Sequence, residues 1–445
     1  MVAVVVTGIG LVSALGKNLE DNWQKLIAGE SGIRSHQPFP ELEPRPLAMI
    51  FEQPAQIKVL TQLVVTSALK DAGLCSPLPD CGVVIGSSRS YQGLWEQMAR
   101  QMLKSRGAGE TALREGFQRS YPLSGDPHQV LAPPQATALA QRDRRSSPKG
   151  RKTEQELISI SSSSPQHPAP CSPSFLEAWL DTLPHMNAIA AARQIGACGV
   201  VLAPMAACAT GIWAIAQAAD LIQTGQCQRV IAGAVDSPIT PLTIAGFEQM
   251  GALAKTGAYP FDVRREGLVL AEGGAVFVLE SAELAQQRQA KVYGQILGFG
   301  LTADAYHANV PEPEARSAIA AVKQCLNRSY LSANDIDYIH AHGTATQLND
   351  SLESLLIQKL FSQGVAVSST KGATGHTLGA SGALGIAFSL MALKQQILPP
   401  CVGLKYPEFD FNLVRESRKS KIQRVLCFSF GFGGQNAVIA LSKYP

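Results

Sequence analysis

The sequence has little charge for its length and no uninterrupted apolar run that could span a membrane. Only 16% of its 445 residues are Asp, Glu, Lys or Arg, whereas 46% are hydrophobic. A membrane helix needs about 20 consecutive apolar residues, and no such run occurs. Met1–Gly10 lacks the basic start and the small-residue cleavage site of a signal peptide. We therefore expect no membrane insertion, a cytoplasmic location, and an apolar composition that serves a large core or a subunit interface.

Paired cysteine motifs are also missing. The nine cysteines are scattered, odd in number and without a CxxC pair, so neither a disulfide framework nor a zinc site is indicated. The net charge of +3 is too small to indicate nucleic-acid binding. At Thr7-Gly8-Ile9-Gly10, Ser13 replaces the third glycine of a dinucleotide-binding fingerprint. The sequence thus favours reduced thiols and gives no sign of a nucleotide cofactor.

What the sequence does contain is a weak internal repeat. The matching segments are helix-like runs at 57–73 and 315–327, strands at 82–85 and 336–340, helices at 211–224 and 379–395, and strands at 229–232 and 424–427. Apolar, hairpin-like strands at 273–280 and 433–441 close the two halves. Two copies of a mixed unit with apolar strands predict an α/β body whose sheets are covered by helices on both faces.

We divide the chain into an N-terminal half, 1–255, and a C-terminal half, 256–445. A segment at about 104–174 interrupts the first half and is rich in Ser, Pro and basic residues, as in RDRRSSPKGRK at 142–152. Such a composition cannot bury enough apolar surface to offset its ordering entropy. We expect a partly disordered surface insertion there.

Cys208 is the candidate nucleophile. It lies in MAACATG (Met205–Gly211), directly before a run of small and apolar residues that predicts a helix. Unpaired N–H groups and the helix dipole at such a position favour a thiolate, so we expect a lowered pKa for this thiol. Taken alone, a free cysteine more commonly fills space in a core.

Two histidines change that balance. His342 follows a strand in HAHGTAT (340–346), and His376 lies in the Gly-rich loop STKGATGHTLG (369–379). Polar side chains converge on pockets at strand ends and in such loops, and with a suitable cysteine they favour nucleophilic catalysis. A zinc site is less favoured, because His340 and His342 would point to opposite faces of one strand.

The segment SFGFGGQN (429–436) is a second Gly-rich turn after a strand. Its backbone N–H groups could hold an oxyanion, and Phe430 and Phe432 could swing on the adjacent glycines. A tight turn with two core aromatic residues is the alternative.

Taken in order, these segments closely resemble the β-ketoacyl-acyl-carrier-protein synthases of bacterial fatty acid synthesis, and their type II elongating members in particular. The other matching segments are VVVTGIGLVSALG (4–16), GVVIGSS (82–88), ITPLTIAGFEQMGALA (239–254), YPFDVRREG (259–267) and HGTATQLND (342–350). Each motif alone is moderately specific, whereas the ordered set is highly specific. The resemblance implies a thiolase-like αβαβα five-layer fold built from two pseudo-repeated halves, and a homodimer.

The resemblance also implies a reaction and its residues. Malonyl-acyl-carrier protein would condense, with loss of carbon dioxide, with an acyl chain held on the nucleophile, without a cofactor or a metal. Acyl- and malonyl-loaded acyl carrier proteins would be the partners. The implied site residues are the nucleophile Cys208, the histidines His342 and His376 with Lys371 and Glu353, the oxyanion and gating residues Phe432 and Phe430, and Thr344 and Thr346 along the pantetheine arm.

Departures from the family pattern leave alternatives open. The insertion is longer than usual, Glu266-Gly267-Leu268 stands where the family has Asp-Gly-Phe, and Gln435 replaces a threonine. Chain-length preference is therefore not predicted. The alternatives are an initiating synthase or a polyketide-type ketosynthase, a cysteine hydrolase, and a non-catalytic subunit like the chain-length factors. Cys208 argues against the non-catalytic subunit, and the pair of histidines argues against an initiating synthase.

Overall fold

The computed structural model describes residues 2–105 and 179–445. The chain divides into two compact units, Met1–Gln97 with Asp181–Pro445, and Met98–Leu180. Nearly all of the insertion expected at 104–174 lies outside the described residues. Within the described ranges, no helix is both long enough and apolar enough to cross a membrane.

The strands are β1 (Val4–Ser13), β2 (Arg34–His36), β3 (Arg45–Leu47), β4 (Gly82–Gly86), β5 (Val201–Leu202), β6 (Arg229–Asp236), β7 (Gly273–Ser281), β8 (Gly294–Ala303), β9 (Tyr338–His340), β10 (Ala366–Ser368), β11 (Ile397–Leu398), β12 (Arg418–Lys419), β13 (Arg424–Gly431) and β14 (Gln435–Ser442). The helices are α1 (Leu19–Ile27), α2 (Ile57–Asp71), α3 (Gln92–Ser105), α4 (Met186–Ile195), α5 (Thr210–Gln223), α6 (Pro241–Gln249), α7 (Ala282–Gln287), α8 (Arg316–Arg328), α9 (Gln347–Leu360), α10 (Lys371–Thr374) and α11 (Ser381–Gln395). Short 3₁₀ turns lie at Ala333–Asp335 and Leu378–Ala380.

The large sheet has the strand order β10-β9-β13-β14-β8-β1-β7-β6-β4-β5. On one side of the β1–β8 pair, β5, β4 and β6 are parallel, and β6, β7 and β1 are antiparallel. On the other side, β10, β9 and β13 are parallel, and β13, β14 and β8 are antiparallel. The sheet therefore consists of two copies of one five-stranded pattern, which confirms the repeat expected from the sequence.

The two copies divide between β7 and β8. β7 pairs with both β1 and β6, so the boundary that we expected at 255 and 256 falls inside the first copy of the strand pattern. Of the two strands expected to close the halves as hairpins, β7 and β14, only β14 forms a tight hairpin. β14 follows β13 directly, whereas the chain between β6 and β7 runs through residues 237–272.

Helices lie on both faces of each copy. α2 and α4 pack on the outer face of the first copy, α8 packs on the second, and α5 and α11 pack against each other and against strands of both copies. In α11 every residue from Ser381 to Leu393 is buried. Its many small side chains let both copies of the strand pattern pack against one helix layer. This arrangement is the five-layer αβαβα fold that the resemblance implies.

The glycines of the TGIG segment serve packing. Gly10 lies within β1, and a Cβ atom built on it would lie 1.9 Å from the carbonyl oxygen of Val64 on α2. A side chain at this position would therefore push the helix off the strand. This close contact between strand and helix explains why glycine occupies position 10, and no bound nucleotide is needed to explain it.

Candidate active site

Cys208 lies in the turn between β5 and α5. Ala207 before it has a φ of 47°, a left-handed conformation that residues other than glycine seldom adopt and that clusters at functional sites. The hydroxyl of Thr210 donates to the carbonyl oxygen of Ala207 and accepts the N–H of Ala206 at 2.8 Å. From the second copy, the Ser429 hydroxyl donates to the carbonyl oxygen of Cys208 at 2.8 Å. The turn is thus held from both copies.

Burial raises the pKa of the Cys208 thiol to about 11. Our expectation that the helix start lowers this pKa is therefore wrong in its net direction. The charges of Lys371 and Arg89 act to lower it, as does the N–H of Phe432, which hydrogen-bonds the sulfur. Desolvation outweighs them, because the thiol is enclosed by apolar side chains.

His342 follows β9, and its imidazole is buried. Its backbone N–H donates to Glu353 Oε1 at 2.6 Å, and the N–H of Gly343 donates to Oε2 at 2.7 Å. The Lys371 ammonium donates to the carbonyl oxygen of His342. Glu353 and Lys371 therefore hold the backbone of His342. Its ring Nδ1 has no hydrogen-bond partner among the described residues.

His376 lies just after α10. Its Nδ1 is 2.8 Å from the Ser381 hydroxyl, which leaves Nε2 for other contacts, and its backbone N–H donates to the carbonyl oxygen of Val269 at 2.7 Å. The rings of His342 and His376 lie 5.4 Å apart between centroids, at 82°. Burial and then the charge of Lys371 hold the pKa of both histidines well below the usual range. Both imidazoles are thus neutral at pH 7.

The Cys208 sulfur and one ring nitrogen from each histidine lie within 4.8 Å of one another. They line one pocket of about 330 Å³, together with Thr344, Thr346, Phe430 and Phe432. Lys371 and Glu353 lie behind the pocket wall and reach it through His342. The structure thus gathers all the residues that we singled out from the sequence into one place.

The same three donors could hold a metal ion, because zinc accepts thiolate and imidazole ligands. In the part of the chain that the structure describes, this is the one cluster of three such donors. His340 does not join it, since its Nε2 is 3.2 Å from the Thr370 hydroxyl and its Nδ1 is 3.8 Å from the Cys427 sulfur. The absence of a metal stays a prediction, which metal analysis of the purified protein tests.

The turn between β13 and β14 lies directly on Cys208. A Cβ atom on Gly431 would lie 2.9 Å from the backbone nitrogen of Cys208, so the close approach requires glycine. Gly433 and Gly434 have φ values of 75° and 72°, a left-handed pair within the three-residue turn that joins β13 to β14. Phe432 stacks on Phe247 with ring centroids 5.8 Å apart.

Asp236, at the end of β6, is a buried residue that our sequence reasoning missed. Its carboxylate accepts the N–H groups of Ser88 and Arg89, at 3.0 and 3.1 Å, and that of Gly379 at 2.7 Å. It therefore ties the loop after β4 to the loop that carries His376. An acidic residue at the end of a buried strand was the signal available in the sequence.

Two family models match the chain. The family model described as "Beta-ketoacyl synthase, N-terminal domain" matches residues 155–285, and "Beta-ketoacyl synthase, C-terminal domain" matches 293–405. Together they cover more than half of the chain.

Individual relatives extend over the whole chain. The putative mitochondrial 3-oxoacyl-(acyl-carrier-protein) synthase of Schizosaccharomyces pombe is 30% identical over 484 aligned residues, which cover 100% of both chains. The 3-oxoacyl-(acyl-carrier-protein) synthase 2 of Coxiella burnetii is 31% identical over 456, covering 99% of this chain and 98% of the relative. A solved complex of a type II polyketide acyl-carrier protein with its ketosynthase matches with a TM-score of 0.80 and 23% identity over 100% of each chain, a likeness of fold.

Proposed function

The chain belongs to the β-ketoacyl synthase family, and we propose that it is a 3-oxoacyl-(acyl-carrier-protein) synthase of the type II elongating class. It joins a two-carbon unit from malonyl-acyl-carrier protein to a fatty acyl chain held on Cys208. The approach of Cys208, His342 and His376 within one pocket is the observation that carries this proposal. A nucleophile with polar side chains positioned beside it is the general pattern of covalent catalysis.

In the first half-reaction the acyl group moves from its carrier to Cys208. A bond forms between Sγ and the acyl carbon, the carrier's carbon–sulfur bond breaks, and the thiol proton passes to the departing carrier sulfur. A thiol with a pKa near 11 is protonated at pH 7, so it needs a proton acceptor as it attacks. The departing carrier sulfur, which leaves as a thiolate, is that acceptor.

In the second half-reaction the malonyl carboxylate leaves as carbon dioxide, and its bonding electrons form an enolate. With Nδ1 of His376 accepting from Ser381, Nε2 carries the proton and donates to the enolate oxygen, as does the ring of His342. The carbanion attacks the acyl carbon on Cys208, a carbon–carbon bond forms, and the Sγ–carbon bond breaks. The 3-oxoacyl product leaves on the carrier, and the thiolate takes up a proton.

Backbone groups stabilise the oxyanions of both steps. We assign this role to the N–H groups of Cys208 and Phe432, because the latter already points at the sulfur. Losing one such donor typically lowers a rate by ~10²–10³. Glu353 and Lys371 are positioning residues in this scheme, since they contact the backbone of His342.

The partner that delivers both substrates is an acyl carrier protein. Its pantetheine arm would pass Thr344 and Thr346, whose hydroxyls lie 2.9 Å apart on the pocket wall. A location in the cytoplasm stays a prediction.

We also propose a homodimer. β5 is an edge strand of the large sheet and pairs only with β4 among the described strands. The flanking Val200 and Met205 are 36% and 56% exposed, and an apolar edge strand is suited to pairing with a second copy. Light scattering should give twice the chain mass, and Met205→Glu should shift the protein toward monomer. A monomeric wild type would contradict the proposal.

Mass spectrometry of the intact protein tests the function. Wild type mixed with acyl-carrier proteins of several chain lengths should gain one acyl mass, located on Cys208 by peptide mapping. Malonyl-carrier protein should then remove it as a 3-oxoacyl product two carbons longer. Cys401→Ala, which removes a buried cysteine outside the pocket, should behave as wild type. The absence of any acyl-enzyme would instead favour the non-catalytic subunit.

A further inference from the structure

The surroundings of Cys208 change from apolar to charged beyond the ring of Phe247. The thiol packs in a cluster with Ile239, Ile244 and Phe247. Phe247 stacks on Phe432, and the guanidinium carbon of Arg89 lies 5.7 Å from the Phe247 ring centroid. The charge of Arg89 also acts on the pKa of the thiol. The Arg89 guanidinium therefore lies against the far side of the apolar cluster that encloses the sulfur.

The backbone around Arg89 is fixed. Its N–H donates to the buried Asp236 at 3.1 Å, and its carbonyl oxygen accepts the N–H of Gln92 at 3.1 Å. The next N–H, of Ser90, donates to the Ser87 hydroxyl at 2.7 Å. The side chain thus starts from a preorganised position, as a specificity-determining group requires.

Arg89 is half-buried, and its guanidinium makes no ion pair or hydrogen bond with the described residues. The nearest acidic side chain on the same segment, Glu96, is already engaged, because its Oε1 accepts from Gln92 at 2.8 Å and from Thr240 at 2.7 Å. Gln92 also donates to the Thr243 hydroxyl at 3.2 Å. Within the described ranges, the wall beside Phe247 is therefore polar, and the Arg89 guanidinium has no acceptor on it.

We propose that Arg89 is a specificity-determining residue that selects acyl chains carrying a hydrogen-bond-accepting oxygen, a carboxylate or a keto group, over plain alkyl chains. This inference rests on the proposed function, because the acyl group has to be bound to Cys208. A chain that extends from the sulfur past Phe247 brings its far atoms to the guanidinium. Methylene groups there would displace water from Arg89 without replacing its hydrogen bonds, whereas an oxygen acceptor replaces them.

Three donors of equal chain length test this proposal. Hexanoyl, 5-oxohexanoyl and the monothioester of hexanedioic acid are each loaded on the carrier protein, and kcat/KM is measured for acylation of Cys208 and for condensation. We expect wild type to favour at least one oxygen-bearing donor by about 10- to 100-fold, the scale of a hydrogen bond to a charged group. Preference for the dicarboxylic donor identifies a carboxylate as the ligand, and preference for the oxo donor identifies a keto group.

Variants distinguish a change in donor preference from a general loss of folding or activity. Arg89→Leu should gain activity with hexanoyl and lose the preference, and a gain cannot come from misfolding. Arg89→Lys should keep part of the preference for the dicarboxylic donor, and Arg418→Leu, an exposed arginine on β12, should match wild type. Equal or better use of hexanoyl by wild type, or an unchanged preference in Arg89→Leu, overturns this inference and leaves the condensation intact. Failure with every donor overturns the proposed function, and this inference with it.

Discussion

The loop after β4 and the loop after β9 occupy the same place in the two copies of the fold, yet they carry different chemistry. In each loop, two consecutive backbone N–H groups donate to one buried carboxylate, Asp236 in the first copy and Glu353 in the second. The side chain that this device positions is Arg89 in the first copy and His342 in the second.

The difference shows how a duplicated scaffold divides one reaction. Burial raises the pKa of both carboxyl groups, but their surroundings differ. Asp236 also accepts two serine hydroxyls, whereas Glu353 lies within the field of the Lys371 charge. In our account the first copy supplies the acyl-carrying thiol and the groups around the chain, and the second copy supplies the imidazoles that stabilise the enolate.

The largest effect should come from removing the imidazoles of the second copy. His342→Ala and His376→Ala should each lower condensation by about 10²–10⁴-fold, the usual contribution of a positioned acid–base group. Acylation of Cys208 should be much less affected, because the enolate forms only in the later step. Carbon dioxide release and acyl-enzyme mass measure the two steps separately. Normal decarboxylation in either variant would contradict the division between the copies.

A smaller effect should separate the two carboxylates. Glu353→Gln and Asp236→Asn keep the size of the side chain. In each variant the new amide NH₂ group faces a backbone N–H that formerly donated to the carboxylate, so one hydrogen bond is lost. Glu353→Gln should lower decarboxylation by about 10- to 100-fold through displacement of His342, with less effect on acylation. Asp236→Asn should disturb acylation and donor preference more than decarboxylation. Thermal unfolding checks that both variants are folded. Equal losses of acylation and of decarboxylation in the two variants would contradict the division of roles between the copies.

The smallest effect concerns the pH dependence of Cys208. Since its pKa is about 11, the thiolate fraction should rise about tenfold for each pH unit between 7 and 10, and alkylation of Cys208 by iodoacetamide should rise with it. Lys371→Met removes a charge that lowers this pKa and should slow alkylation at each pH, whereas Asp236→Asn removes one that raises it and should speed alkylation. We expect shifts of about one unit. A plateau near pH 8 in wild type would contradict the direction of the pKa shift.

Much of the fold was predictable from local pattern. The apolar strand expected at 229–232 is the first half of β6, and the helix expected at 211–224 is α5 at 210–223. These segments carry their own periodicity, so no tertiary information was needed. The division of the repeat after β7 was not predictable in this way, because it depends on which strands pair across the sheet.

For the site, the sequence indicated the reacting groups but not their environment. Cys208, His342 and His376 lie in recognisable turns, whereas the raised pKa of the thiol comes from apolar side chains far away in the chain, such as Leu47 and Leu378. Asp236 and Arg89 likewise gain their roles only through contacts over long sequence separations. The burial of a side chain and its contacts with residues distant in sequence are properties of the folded chain, and a local sequence motif does not indicate them.

The central claim, that the first copy holds the acyl group while the second generates the carbanion, is tested most directly by Cys208→Ala. With malonyl-carrier protein this variant should still release carbon dioxide, because the enolate-stabilising imidazoles remain. With acyl- and malonyl-carrier proteins together, condensation should fall by about 10⁴-fold or more, the scale of losing a catalytic nucleophile. Condensation at the wild-type rate by Cys208→Ala, or loss of carbon dioxide release together with condensation, would contradict the account.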